Sequence, residues 1–212
     1  MSESRNLGLL RLHHLQEVTE AKGEEMEIEA ARFDSLRESS PRSYAVDGLF
    51  QTPPEIADKM VNALGGLSGR VLEPSAGLGR LYQAIRRESA AVDVVLVENN
   101  ADLCGELWRL IDADMAARLV CDDFLKCGPD RLGGSFDCIV MNPPFRMGKD
   151  VTHIKWARSL LAPGGRLVSL CYAGARQRLA IEPIADTWEL LPPGSFSSEG
   201  TRADVAMVTF SA

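Results

Sequence analysis

The sequence predicts an α/β fold: a mostly parallel seven-stranded sheet with helices on both faces, preceded by a helical arm. Three observations predict it. From about residue 47 onward, short β-branched apolar runs alternate with stretches of helical apolar spacing, the pattern of strand–helix–strand units. The run Ala91 to Val97 is apolar apart from Asp93, as befits a strand covered on both sides. The last two runs, Thr187 to Leu191 and Ala203 to Phe210, are separated only by Pro192-Pro193-Gly194 and a Ser-rich loop. With no helix between them, they should pair antiparallel.

Composition sets the outer bounds. The 212 residues suit one domain with an appendage, and 45% hydrophobic with 25% charged content is that of a globular protein. No apolar run approaches the roughly 20 residues of a membrane span, and Met1 to Asn6 lacks the build of a secretory signal, so a cytoplasmic location is expected. The five cysteines form no C-x-x-C pair and have no histidine at ligand spacing. They read as free thiols in a reducing compartment, and no metal site is expected.

The net charge of −7 disfavours a protein that coats nucleic acid non-specifically. Yet between Asn142 and Arg178 the basic residues Arg146, Lys149, Lys155, Arg158, Arg166, Arg176 and Arg178 face Asp150 alone. A basic rim for a polyanion is one reading; ordinary solvated helix residues are the other.

Residues 1 to 46 form the arm. Met26, Ala30, Phe33 and Leu36 recur at helical spacing among acidic residues, and Ser39-Ser40-Pro41 ends that helix. Leu7 to Leu15 suggests a shorter one. The arm carries no chemistry, and packing is its expected role. The main domain spans 47 to 212. Phe50-Gln51-Thr52-Pro53-Pro54-Glu55 opens a helix through Ile56, Met60, Val61 and Leu64, with Thr52 placed as N-cap and Glu55 as its capping-box partner. Capping leaves unexplained why an aromatic and an amide stand directly before it.

Val71-Leu72 runs into Glu73-Pro74-Ser75-Ala76-Gly77-Leu78-Gly79 and then a helix. Gly77 and Gly79 let backbone approach a ligand near a helix N-terminus, and the Glu73 carboxylate there can hold a cationic group. The second strand ends in Glu98-Asn99-Asn100, at the distance from the glycine loop where nucleotide folds place a ribose acceptor. A helix over Ala101 to Ala113 leads to the strand Ala117 to Cys121, which ends in Asp122-Asp123-Phe124. There an acid can accept from an adenine amine while the ring packs on its face. The fourth strand, Asp137 to Met141, stops at Asn142-Pro143-Pro144-Phe145, where two prolines forbid continuation. A helix over Val151 to Leu161, a tight turn at Ala162 to Gly165, a fifth strand over Arg166 to Tyr172 and a short helix over Ala173 to Leu179 precede the closing pair.

In this order, F-Q-T-P, E-P-S-A-G-x-G, V-E-N-N, D-D-F and N-P-P-F resemble the motifs of S-adenosylmethionine-dependent amino-methyltransferases. The likeness is closest to the N6-adenine DNA methyltransferases of gamma-type motif order, over about residues 50 to 172. Phe196 to Thr201 is similar to that family's late motif. The resemblance implies a class I methyltransferase (Rossmann-like) fold with S-adenosyl-L-methionine as cofactor. By position, Phe50, Gln51, Thr52 and Pro53 resemble the motif over the methionine moiety, and Glu73, Ser75, Ala76, Gly77 and Gly79 the cofactor loop. Glu98 with Asn99 matches the ribose site, and Asp123 with Phe124 the adenine site, Asp122 being a competitor.

The resemblance also implies catalysis by Asn142, Pro143, Pro144 and Phe145 on a base amine. The Asn142 side-chain oxygen and the Pro143 carbonyl would accept the two N–H bonds, and Phe145 would stack on a flipped base. An RNA base amine and a protein glutamine remain alternative substrates, because N-P-P-F recurs in enzymes acting on them. DNA methyltransferases of this type usually carry a target-recognition domain, whereas about 40 residues follow Tyr172 here. Recognition is therefore expected from the arm, the basic segment Arg146 to Arg178, a partner subunit or a homo-oligomer.

Overall fold

The computed structural model describes residues 50–199, 201 and 203–212; the expected arm over 1–46 lies outside them. The chain alternates as expected: α1 (Pro54–Ala63), β1 (Arg70–Glu73), α2 (Arg80–Glu88), β2 (Asp93–Glu98), α3 (Ala101–Ile111), β3 (Ala117–Cys121), the short α4 (Pro129–Leu132), β4 (Phe136–Met141), α5 (Lys149–Ser159), β5 (Leu161–Tyr172), α6 (Ala175–Ala180), β6 (Thr187–Leu190) and β7 (Val205–Ser211). Among the described residues the strands form one seven-stranded sheet in the order β3-β2-β1-β4-β5-β7-β6. β1 to β5 pair in parallel, and β7 runs antiparallel to both β5 and β6.

The apolar runs supply both faces because successive side chains point to opposite sides. Val71, Val94, Leu96, Cys138 and Val140 pack under α1, α2 and α3. Their neighbours Leu72, Val95, Val97, Ile139 and Met141 pack with α4, α5 and Phe124 on the other side. Each such buried aliphatic side chain stabilises the fold by roughly 1.5–3 kcal/mol. The expected late motif contributes Phe196, 1% exposed, to the first face. The five cysteines are free thiols, four of them buried. Among the described residues no helix is long and apolar enough to cross a membrane.

Two local expectations are corrected. The turn expected at Ala162 to Gly165 lies within β5: Phe136 pairs with Leu161 and Cys138 with Arg166, so four residues of β5 stand opposite Asp137 alone. This is a bulge, and Gly165 allows it, because a Cβ there would come within 2.8 Å of the Phe136 carbonyl oxygen. At the start of α1, the N-cap is Pro53 and no side chain caps the helix. Pro54 has no amide hydrogen to offer a Thr52 hydroxyl, whose oxygen accepts from Asn142 Nδ2 instead.

Candidate active site

β1, β2, β3 and β4 are parallel, so their carboxyl ends share one edge, and the order reverses at β1 with β2 on one side and β4 on the other. Ligands of open α/β sheets bind at such a point. Here it is a cavity of about 650 Å³. The expected site residues Phe50, Gln51, Thr52, Glu73, Ser75, Ala76, Gly77, Glu98, Asn99, Asp123, Phe124 and Asn142 through Phe145 all line it. Pro53 and Gly79 stand back from it. Gly79 caps α2 with φ +76°, and a Cβ there would meet Leu110 Cδ2 at 2.5 Å. The glycine serves the close packing of α2 on α3 rather than the approach of a ligand.

Glu73 ends β1 and is 1% exposed. Removal from water pushes its carboxyl well above the ordinary carboxylate range, against a backbone hydrogen bond from Tyr82, and the Glu98 charge adds to the rise. Its Oε2 has no hydrogen-bond partner among the described residues. Glu98 is used differently. Its Oε2 accepts from the Gly77 amide (2.8 Å), and its Oε1 from the amides of Asn99 and Asn100 (2.9 Å each). The carboxylate thus ties the glycine loop to the end of β2. Asn100 continues the chain as N-cap of α3, accepting from Asp102 and Leu103.

At the end of β4, Asn142 Nδ2 donates to the Phe50 carbonyl (2.9 Å) and to Thr52 Oγ1 (3.1 Å). Gln51 accepts from Arg80 Nε at 2.9 Å, which holds the same segment against the start of α2. With both partners of its amide nitrogen on residues 50–52, Asn142 leaves Oδ1 buried and without a donor among the described residues. A buried acceptor with no donor costs about 1–3 kcal/mol.

The two acids after β3 separate. Asp122 accepts from the Asp123 amide and pairs with Arg131 Nε at 3.1 Å. Asp123 accepts from the Leu125 amide at 3.1 Å as the cap of the turn Phe124–Lys126. Phe124 is buried, and its ring meets that of His153 at 5.7 Å between centroids. Sequence reasoning passed over His153. It lines the cavity from α5, and its Nδ1 is buried without a partner among the described residues. Burial lowers its pKa to about 4, opposed by the Asp123 charge and helped by Lys149. The ring is neutral. A lone histidine in a basic segment gave no sign of this, because burial comes from packing on Phe124, 29 residues away in the chain.

Residues 56–189 match the methyltransferase small domain family. The chain belongs to that family. No curated protein sequence matches it. Solved structures similar in fold include TrmN from Thermus thermophilus (TM-score 0.57, 18% identity, covering 75% of this chain and 49% of that one). A chain of a type I R-M system gives TM-score 0.58 at 17% identity, covering 80% of this chain and 43% of that one. The chain thus spans about half the length of either. The glycopeptide N-methyltransferase MtfA, complexed with sinefungin, gives TM-score 0.56 at 16% identity, covering 80% of this chain and 88% of that one.

S-adenosylmethionine is the cofactor that membership of this family implies. The residues present fit it. The cavity has the volume of a small-ligand site, and the buried Glu73 Oε2, without a donor among the described residues, suits a ligand bearing an ammonium group. The basic segment does not form one rim in this methyltransferase. Arg146 and Lys149 line the cavity and Arg176 joins them by donating to the Met147 carbonyl at 2.8 Å. Arg158 lies over Phe210, Arg178 over Trp188 while pairing with Glu182, and Arg166 donates to the Gly66 carbonyl. Those three stabilise the fold where they stand.

Proposed function

We propose that the protein transfers a methyl group from S-adenosylmethionine to the exocyclic N6 amine of adenine in DNA. The observation that carries this reading is the fixed amide of Asn142, anchored through Nδ2 with Oδ1 buried and open. An aromatic amine is a poor nucleophile because its lone pair is delocalised into the ring. Asn142 Oδ1 and the Pro143 carbonyl each accept one of its two N–H bonds, which favours a pyramidal nitrogen with the lone pair free. S-adenosylmethionine supplies the electrophilic methyl, carried on a sulfonium. As positive charge builds on the nitrogen, the two acceptors stabilise it without reorganising; losing one such group costs on the order of 10²–10³ in rate. Pro143-Pro144 hold the corner rigid, and the half-buried Phe145 offers a face to a planar base.

Residues 50–52 take the methionine end of the cofactor, and the Glu73 to Leu78 loop its charged groups. Glu98 takes the ribose, chiefly through Oε2, which holds one amide against two on Oε1. Asp123 and Phe124 take the adenine. The E-P-S-A-G and F-Q-T-P forms support DNA as the polymer, and the fold likeness to a type I R-M system chain agrees with it.

The test incubates labelled S-adenosylmethionine with DNA, RNA and protein, then digests each to nucleosides or amino acids. Label in N6-methyladenine from DNA is expected. Label confined to RNA, or to glutamine, would replace DNA with that substrate. Asn142→Ala is expected to abolish transfer while S-adenosylmethionine affinity stays within about threefold, under 1 kcal/mol. An active variant would show that the wrong corner had been chosen.

A further inference from the structure

We propose that Met147 is a wedge that fills the gap left in a nucleic-acid stack when the target base enters the cavity. The inference rests on the base-amine reading above and adds to it a residue that handles the polymer rather than the amine.

Met147 is 88% exposed, two residues beyond Phe145, and lines the cavity. Its backbone has φ 58° and ψ 19°, the only non-glycine residue with positive φ among those described. That conformation costs an L-residue roughly 1–2 kcal/mol. Neither the exposed apolar tip nor the left-handed backbone stabilises the fold.

The backbone is nonetheless held in place. The Met147 carbonyl accepts from Arg176 Nη1 at 2.8 Å. The following Gly148 is also left-handed, at φ +75°, and the Arg176 side chain fills the space where a Cβ would stand. Just beyond, Asp150 is fully buried and accepts from Tyr172 N (3.0 Å) and Gln177 Nε2 (2.9 Å), which pins the start of α5 to the end of β5.

The surroundings select the partner. Arg146 and Lys149 line the cavity with Met147, and Arg176 donates to its carbonyl, which sets positive charge near it on a protein of net charge −7. A polyanion with an apolar interior matches a thioether beside cationic side chains; a stacked nucleic acid is such a polymer. Extruding a base costs a few kcal/mol of stacking and pairing, and inserted apolar side chains, methionine among them, offset that cost. An unbranched polarisable side chain fills an irregular gap of this kind well.

The test compares kcat/KM on a DNA duplex and on its single strands, with the same pair in RNA. Met147→Gly keeps the left-handed backbone and removes the tip; Met147→Leu restores an apolar tip. Met147→Gly is expected to lose about tenfold or more on the duplex, close to nothing on single strands, and Met147→Leu to recover most of it. With 2-aminopurine at the target, the fluorescence rise on binding should shrink in the glycine variant alone. An equal loss on both substrates, no loss on the duplex, or a wild type active only on single strands overturns the wedge. A wild type that methylates no nucleic acid overturns the base-amine reading as well, and so is told apart from those results.

Discussion

Thr52 and Asn142 are 90 residues apart and joined by a single 3.1 Å hydrogen bond. Thr52→Val keeps the shape and removes the acceptor, so kcat is expected to fall about three- to tenfold, the worth of one such bond, with the KM for S-adenosylmethionine little changed. A fall in affinity with kcat intact would contradict the positioning role. His153 gives a different test. Its folded pKa of about 4 lies below the usual 6.5, so its contribution is fully present above pH 6.5 and is lost as pH falls from 6.5 toward 4. The loss is at most about 3–4 kcal/mol. Urea midpoints across that window should decline less steeply in His153→Phe than in the wild type; parallel curves would rule the histidine out as the source. Of these residues Asn142 was legible because prolines stop its strand, and Thr52 was legible but misread, since threonine before proline looks like a cap. His153 was illegible, because nothing local announces a buried neutral imidazole.

Among the elements, the strand ends were the readable part. A strand's apolar run stops where its side chains leave the sheet, so Glu73, Glu98, Asp123 and Asn142 were all visible as polar residues after such runs. How the elements are tied was not visible. Asp150 was noted only as the lone acid of a basic segment, yet it is fully buried with partners 22 and 27 residues away. Asp150→Ala would leave the buried Gln177 amide and the Tyr172 N–H without their acceptor. The expected loss is about 2–4 kcal/mol in urea unfolding, large for one surface-proximal turn. A loss below about 0.5 kcal/mol would mean that α5 and β5 hold together without it. The bulge in β5 was hidden for a related reason: Ala-Pro-Gly-Gly reads as a turn unless the partner strand is known.

At the scale of the whole methyltransferase, ligand binding and folding share the carboxyl edge of the sheet. S-adenosylmethionine at a hundredfold excess over its Kd should stabilise the protein by about 2.7 kcal/mol, which for a chain of this length raises Tm by roughly 5–10 °C. Glu98→Ala is expected to lose most of that shift in a thermal melt, and a full shift in the variant would remove Glu98 from the ribose site. The seven strands and both apolar faces were legible because they follow from periodicity, whereas their order in the sheet was not; nor was the dispersal of the basic segment, since charge counts say nothing about direction. Asn142-Pro143-Pro144-Phe145 is compact enough to look transferable, but its amide is aimed by Phe50 and Thr52 from a distant part of the chain. A free asparagine side chain rotates broadly and presents nitrogen as readily as oxygen. The corner is therefore not a portable part: grafted onto another sheet without residues 50–52, it would carry the four letters of the motif and present a donor to the amine about as often as an acceptor.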